Sequence, residues 1–388
     1  MNFIPYGKQN ISDADIEAVV NVLKSDYLTQ GPKVPIFESE IATFCGAKYA
    51  VAMNSATSAL HTACMALDLG PGDWLWTSPN SFVASANCAI YCGAKVDFVD
   101  IDPKTYNISI ECLEKKLQIA KSKNKLPKII IPVHFAGQSC EMEAIFKLSK
   151  QYNFHIIEDA SHAIGGKYLD AYIGQCRFSD ITIFSFHPVK IITTAEGGVA
   201  TTNNESIYKR LQRHRSHGIT SDKNDFIDRP TDEIWNYQQI YLGYNYRMTD
   251  LQAALGSSQI KNINKFIEKR HEIATRYNKE LFNLPIILPF QIKESFSSFH
   301  LYPIRINTKL TKVSQIDLYK FLLSNGVGVN IHYIPIYRQP YYEKMGFKKG
   351  YCLESESFHK EILSLPIFFD LTYENQTKVI TMLKSAFR

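Results

Sequence analysis

Three kinds of side chain stand where short apolar runs of this sequence end: small hydroxyl residues, a carboxylate and a lysine. The run KYAVAMN closes at Asn54 and Ser55, and SATSALHTACMAL continues with helical spacing through Ala56 and Thr57. A helix that starts there turns unpaired backbone N–H groups and the positive end of its dipole outward, with Thr57 and Ser58 adding hydroxyl donors, which is an arrangement for a phosphate. The same residues also suit an ordinary Ser/Thr cap. The run FHIIEDA is apolar until Glu158 and Asp159, with Ser161 and His162 following. A carboxylate at such a strand end can pair with a cationic ring nitrogen and keep it protonated, or it can cap the next turn. ITIFSF then leads through Ser185 and His187 to Lys190 in SFHPVKIITTAEGG. A partly desolvated lysine holds a neutral amine that attacks carbonyls; a lysine in a loop can equally snorkel out to water.

The elements that must position these residues are legible as a pattern. From about Lys48 to Val199, the β-rich runs YAVAMN, DWLWTSP, KVDFVDID, KIIIPVHF, FHIIEDA and DITIFSF alternate with the helical patterns TSALHTACMALDL, SANCAIYCG, CLEKKLQIAKS and EMEAIFKLSKQY. Such alternation predicts an α/β domain with a mostly parallel sheet. In these sheets the binding crevice forms at the carboxyl ends of the strands, so the helix start, Asp159 and Lys190 fall on one edge, in that order. Pyridoxal phosphate needs that set: a cradle for its phosphate, a partner for its ring nitrogen and an amine for its aldehyde. TSPNSFVASAN adds Phe82 at another strand end, a ring for stacking or a core aromatic. Beyond Asp250, TDLQAALGSSQIKNINKFIEKRHEIATRYNKELFNL has helical periodicity for one or two helices. HLYPIRI, GVGVNIHYIPI and TYENQTKVITMLKSAF then predict a smaller α+β domain.

Composition narrows the class. The 388 residues, 45% hydrophobic and 21% charged, suit a soluble globular chain of roughly two domains. No stretch approaches the roughly 18 apolar residues of a membrane span, and MNFIPYGKQN lacks a basic region followed by an apolar one, so a cytoplasmic protein without a membrane partner is expected. Eight cysteines without a CxxC pair read as reduced core residues, and no metal site is expected. The net charge of +5 is mild, and KSKNKLPK suits a solvated helix end better than a nucleic-acid patch.

Taken in order, NSATSAL, TSPNSFVASAN, EDASHAIG, SFHPVKIITTAEGG, RSHGI, LGYNYRMTDLQAALG and HYIPIYRQPYY resemble the motif series of the DegT/DnrJ/StrS-type sugar aminotransferases, which act on nucleotide-linked 4-ketosugars with pyridoxal phosphate. The resemblance runs from YLTQGPKVPIFE to His332 and implies the fold-type-I, aspartate aminotransferase-like architecture. It also implies a division into an N-terminal arm and helix near the active site (1–30), a large cofactor-binding α/β domain (31–250) and a small C-terminal α+β domain (251–388). Within the family, LTQG, NSATSAL, SFVASAN, ITTAEGG and HYIPIY are most similar to the branch of pseudaminic acid synthesis. That branch moves an amino group from L-glutamate to C4 of a UDP-linked 2-acetamido-2,6-dideoxy-4-hexulose of L-arabino configuration. Other branches act on D-xylo UDP-4-ketosugars, a UDP-4-keto-pentose or dTDP-sugars. A dehydratase branch replaces the lysine by histidine, whereas this chain keeps Lys190; cofactor-binding regulators share the fold without catalysis.

The residue roles carried by the resemblance are these. Lys190 is the lysine that condenses with the cofactor's aldehyde and acts as general base, and Asp159 partners the ring nitrogen. Phe82 stacks on the ring, while Ala56, Thr57 and Ser185 lie at the phosphate and its surroundings. His162 approaches the ring hydroxyl. Asn245 reaches the phosphate of a neighbouring subunit's cofactor, which implies a homodimer with shared active sites. Tyr6, the segment Asp26, Tyr27, Leu28 and Thr29, together with Ala56, Ser185, Arg247, His332 and Tyr333, lie near the nucleotide sugar. A guanidinium at Arg247 can hold a phosphate by paired hydrogen bonds, or it can pair with Asp250 three residues later.

Overall fold

The computed structural model describes residues 3–227 and 232–388; the first two residues of the predicted arm lie outside them. Seven strands form the central sheet: β1 (Tyr49–Met53), β2 (Trp74–Thr77), β3 (Lys95–Phe98), β4 (Ile129–Ile131), β5 (His155–Asp159), β6 (Ile181–Ser185) and β7 (Gly198–Thr202). Their order is β1-β7-β6-β5-β4-β2-β3. Every pair is parallel except the two that β7 makes with β1 and β6. Helices α1 (Asp13–Leu23), α2 (Lys33–Cys45), α3 (Ala56–Ala66), α4 (Ala84–Tyr91), α5 (Ile110–Ser122), α6 (Met142–Tyr152) and α7 (Glu205–Arg215) accompany the sheet. A sheet covered on both faces needs strands that are apolar throughout, and all three isoleucines of β4 are fully buried. The architecture is α/β of fold type I.

All six expected strands form, and the sheet gains a seventh, GVATT, that the sequence reading did not anticipate. Two of its five residues are threonines, which a pattern search takes for polar. Both are buried in β7 because their hydroxyls find acceptors: Thr201 Oγ1 donates to Gly174 O and Thr202 Oγ1 to Asp180 O, each at 2.8 Å.

After α8 (Asp250–Ile260) and α9 (Ile263–Leu281), a three-stranded antiparallel sheet follows, with β8 (Ile286–Ile287), β9 (Tyr302–Ile306) and β10 (Ile362–Leu365) in the order β8-β9-β10. Helices α10 (Gln315–Ser324), α11 (Pro340–Lys344), α12 (Leu353–Glu361) and α13 (Tyr373–Ala386) complete this part. Tyr277, Tyr302, Leu318, Val379 and Leu383 form its core. The stretch GVGVNIHYIPI forms no strand, only bridges from Val327 to Ile4 and from Asn330 to Ser364. Glycines at 326 and 328 shorten the run, and the arm covers it instead: Ile4 N donates to Gly326 O at 2.9 Å and Gly328 N to Ile4 O at 2.7 Å.

Candidate functional site

The strand pleat separates the two acids of EDA. Successive side chains on β5 point to opposite faces. Glu158 accepts hydrogen bonds from Thr182 Oγ1 at 2.9 Å, from the Ser179 hydroxyl, and from buried His134 Nε2 at 2.7 Å. Burial alone would raise its pKa, but these donors outweigh burial and lower it, so Glu158 is a structural anion. Asp159, 5% exposed, turns to the other face. Its Oδ2 accepts from Ser85 Oγ at 2.6 Å and its Oδ1 from the Ser161 N–H at 3.1 Å. Ser81 Oγ lies 2.7 Å from Ser85 Oγ; with the Ser85 proton committed to the carboxylate, Ser81 donates in turn.

Asp159 faces a cavity of about 580 Å³ that opens at the carboxyl ends of β1, β5 and β6. Tyr6, Ala56, Thr57, Phe82, His162, Ser185, Lys190, His332 and Tyr333 also line it. Phe82 keeps 61% exposure there, a ring held out from the core rather than packed within it. The hydroxyl of Ser55 caps α3 by accepting the Ser58 N–H at 3.1 Å, as the plainer expectation had it. The first two amides of the helix, at Ala56 and Thr57, have no intrahelical acceptor and lie on the cavity wall.

Lys190 comes to this cavity through a tightly folded loop. Phe186 O accepts from Thr194 N and Thr193 Oγ1 at 3.0 Å each, Phe186 N donates to Gly197 O at 2.9 Å, and Lys190 N donates to His187 O at 2.9 Å. Gly198 lets the returning chain pass against α3, because a Cβ there would lie 2.5 Å from Ala56 N. Burial pushes the half-buried lysine's pKa down to about 8, with Asp159 pulling the other way. A pKa near 8 leaves about a tenth of the amine neutral at pH 7, far more than in an ordinary lysine, which suits Lys190 to nucleophilic and base chemistry.

Four histidines line the cavity, and three of them, His162, His300 and His332, are neutral. Burial, with Lys190 and His332 adding to it, holds His162 well below its ordinary value. His332 is pushed down to about 3 by burial and then by Lys190. Its Nδ1 lies 2.8 Å from Ser364 Oγ, and Tyr6 packs on its ring at 5.6 Å. His300, also lowered by burial, sets its ring 4.5 Å from that of His162.

The remaining predicted positions form a strip outside this cavity. Asp26, Tyr27, Leu28, Thr29 and Asn245 are exposed and Arg247 is half-buried. Thr29 bridges to Thr249 and Arg247 to Met53 at the end of β1, while Asp250 N donates to Leu28 O at 3.0 Å. The Arg247–Asp250 pairing does not form. Asp250 instead accepts the Gly31 and Lys33 amides at 3.2 Å each, and Arg247 makes no ion pair among the described residues. Sequence reasoning missed Ser81, Ser85, His300 and the close approach at Gly198. The spacing of Ser81 and Ser85 just after a strand was a signal for two of them; His300, within an apolar run, carried none.

The lining residues suit pyridoxal phosphate: free helix amides for an anion, a buried carboxylate with two donors behind it and a desolvated lysine share one cavity. Residues 9–384 match the DegT/DnrJ/EryC1/StrS aminotransferase family. This chain belongs to that family. As a family member it is a pyridoxal-phosphate-dependent aminotransferase. It is 39% identical over 364 residues to the UDP-4-amino-4,6-dideoxy-N-acetyl-beta-L-altrosamine transaminase of Campylobacter jejuni, covering 94% of this chain and 92% of that protein. Among solved structures it resembles Helicobacter pylori PseC, an aminotransferase involved in the biosynthesis of pseudoaminic acid, with 31% identity, a TM-score of 0.90 and coverage of 100% and 99%. It also resembles the putative sugar aminotransferase Spr1654 of Streptococcus pneumoniae in its PLP form, with 28% identity, a TM-score of 0.88 and coverage of 99% and 98%.

Proposed function

We propose that this aminotransferase moves the amino group of L-glutamate to C4 of UDP-2-acetamido-2,6-dideoxy-β-L-arabino-hex-4-ulose, giving UDP-4-amino-4,6-dideoxy-N-acetyl-β-L-altrosamine for pseudaminic acid synthesis. The observation that carries it is one cavity holding Lys190, with its pKa near 8, opposite the buried Asp159 carboxylate. Similarity to the Campylobacter transaminase and to PseC supports the sugar.

Pyridoxal phosphate, when bound, supplies an aldehyde for an amine and a ring that takes up the electrons released when the donor's α-proton leaves. The amides of Ala56 and Thr57 and the Ser185 hydroxyl would hold its phosphate end, and Phe82 would flank its ring. Asp159, which accepts from Ser85 Oγ and the Ser161 amide, would face the ring nitrogen and hold a proton there. Lys190 Nζ would take the proton from glutamate's α-carbon and later deliver a proton to one face of C4 of the sugar. His162, His300 and His332, all held neutral, add no positive charge beside the lysine. Tyr6, His332 and Tyr333 border the sugar.

We assign the large unit to 31–250 and the small unit to 251–388, with the N-terminal arm and helix, 1–30, near the site. Asn245 and Arg247, outside this chain's own cavity, serve the cavity of a second copy, where Asp26 to Thr29 lie alongside; the working form is a cytoplasmic homodimer. Among the described residues no helix is long and apolar enough to cross a membrane.

The test is product analysis by NMR with pyridoxal phosphate, glutamate and either the L-arabino or the D-xylo UDP-4-ketosugar. Aminosugar from the L-arabino substrate alone is expected; product from the D-xylo sugar alone would move the enzyme to another pathway.

A further inference from the structure

Both ring nitrogens of His162 are already engaged. The Ala136 N–H donates to Nδ1 at 3.3 Å, so that nitrogen carries a lone pair and no proton. The ring proton is therefore on Nε2, which lies 3.1 Å from Tyr333 Oη. The backbone sets this direction. Ala136 has φ 58° and Gly137 φ 103°, two successive left-handed residues, a conformation that costs an alanine energy and is kept where something depends on it. A Cβ on Gly137 would come within 2.4 Å of Ser298 Oγ and 3.0 Å of His162 O, so the turn, His162 and the segment leading to His300 pack as one unit. Ser298 Oγ donates to His162 O at 2.8 Å, and the buried Arg270 holds the carbonyls of Phe299 and His300 at 3.1 Å each.

Tyr333 receives the His162 N–H, and its own hydroxyl proton has no acceptor among the described residues. Its side chain lines the cavity, with its ring nearly parallel to that of His162 and edge-on to Phe135. Burial raises its pKa above the ordinary tyrosine value, so it keeps the proton it has to give.

We propose that Tyr333, oriented by His162, donates a hydrogen bond to an acceptor oxygen of the molecule bound in the cavity, either the cofactor's ring oxygen or the substrate's carbonyl oxygen. His162 is then a positioning residue, and the phenol is the group that meets the ligand. The assignment rests on the reading of this cavity as the cofactor and substrate site.

Tyr333→Phe removes the hydroxyl and keeps the ring. In protein loaded with pyridoxal phosphate, the pH midpoint of the cofactor's visible absorbance is compared for wild type, Tyr333→Phe, His162→Gln and the double variant. Single-turnover rates with glutamate and with the L-arabino UDP-4-ketosugar accompany the titrations, and thermal melting reports folding. A midpoint moved by Tyr333→Phe assigns the cofactor's oxygen; an unmoved midpoint with the ketosugar step slowed about tenfold or more assigns the substrate's. In either case the double variant loses no more than Tyr333→Phe alone, because His162 acts through the phenol. The proposal is overturned if Tyr333→Phe keeps its midpoint and both rates within about twofold of wild type, or if the His162→Gln loss persists undiminished beside Tyr333→Phe. Wild-type protein that takes up no pyridoxal phosphate would overturn the reading of the cavity itself, and this proposal with it.

Discussion

Ser85 Oγ stands 2.6 Å from Asp159 Oδ2 and ties the first turn of α4 to the end of β5. Phe82 lies on the same turn, so the ring proposed to flank the cofactor and the carboxylate proposed to face its nitrogen share one support. Ser85→Ala should weaken pyridoxal phosphate binding by about thirtyfold, the equivalent of about 2 kcal/mol for a buried hydrogen bond to a charged group. Titration of the purified variant with the cofactor checks this; an unchanged affinity would remove Ser85 from the account.

Lys190→Ala should leave the fold intact, since the side chain is only half-buried and its loop is held by backbone hydrogen bonds at Phe186 and Gly197. Transamination should fall by at least about a thousandfold, within the range for losing a proton-transfer group together with its covalent role. The same variant should still take up pyridoxamine phosphate, which needs no amine. Steady-state assay and equilibrium dialysis measure the two halves of this expectation.

In the cofactor-free protein Lys190 titrates near 8, against 10.5 for a free lysine. Between those values the unfolded chain binds more protons at this residue than the folded one, so stability from this group rises with pH across the window. Below about pH 8 both states are protonated and the penalty for burying the charge is fully present. Lys190→Met should therefore melt higher than wild type at pH 7, with the gap narrowing as pH rises from 8 toward 10.5. Melting curves at a series of pH values decide it, and a gap independent of pH would contradict it.

Gly198→Ala brings a methyl to 2.5 Å from Ala56 N and 2.6 Å from Ala56 Cα, both backbone atoms that cannot swing aside. Overpacking of this kind costs about 1–3 kcal/mol, and here it falls on the first turn of α3. The expected result is a lower melting temperature together with weaker phosphate-end binding, visible as a larger dissociation constant for inorganic phosphate as well as for the cofactor.

Much of this was legible from sequence because chemistry and folding used the same signals. Most strands of the parallel core are short apolar runs, and Asp159 and Lys190 are polar residues placed at or just beyond the ends of such runs. The strand GVATT escaped because buried threonines satisfied by Gly174 O and Asp180 O look polar in a pattern. Arg247 and Asp250 were correctly spaced for an ion pair, yet the carboxylate is occupied by amides from residues 31 and 33, more than two hundred positions away. His300 lies within SFHLYPIRI, where nothing distinguishes a core histidine from a cavity wall; its place depends on the turn at Ala136 and Gly137 and on the Arg270 guanidinium.

The central claim is that Lys190 and Asp159 together move an amino group from glutamate to a nucleotide-linked ketosugar. The most direct measurement supplies ¹⁵N-glutamate, pyridoxal phosphate and the L-arabino UDP-4-ketosugar to wild type and to Lys190→Ala, and follows the label by NMR. The account predicts ¹⁵N bonded to C4 of the sugar with wild type and none with the variant. Label remaining in glutamate with wild type, or appearing in the sugar with Lys190→Ala, would contradict it.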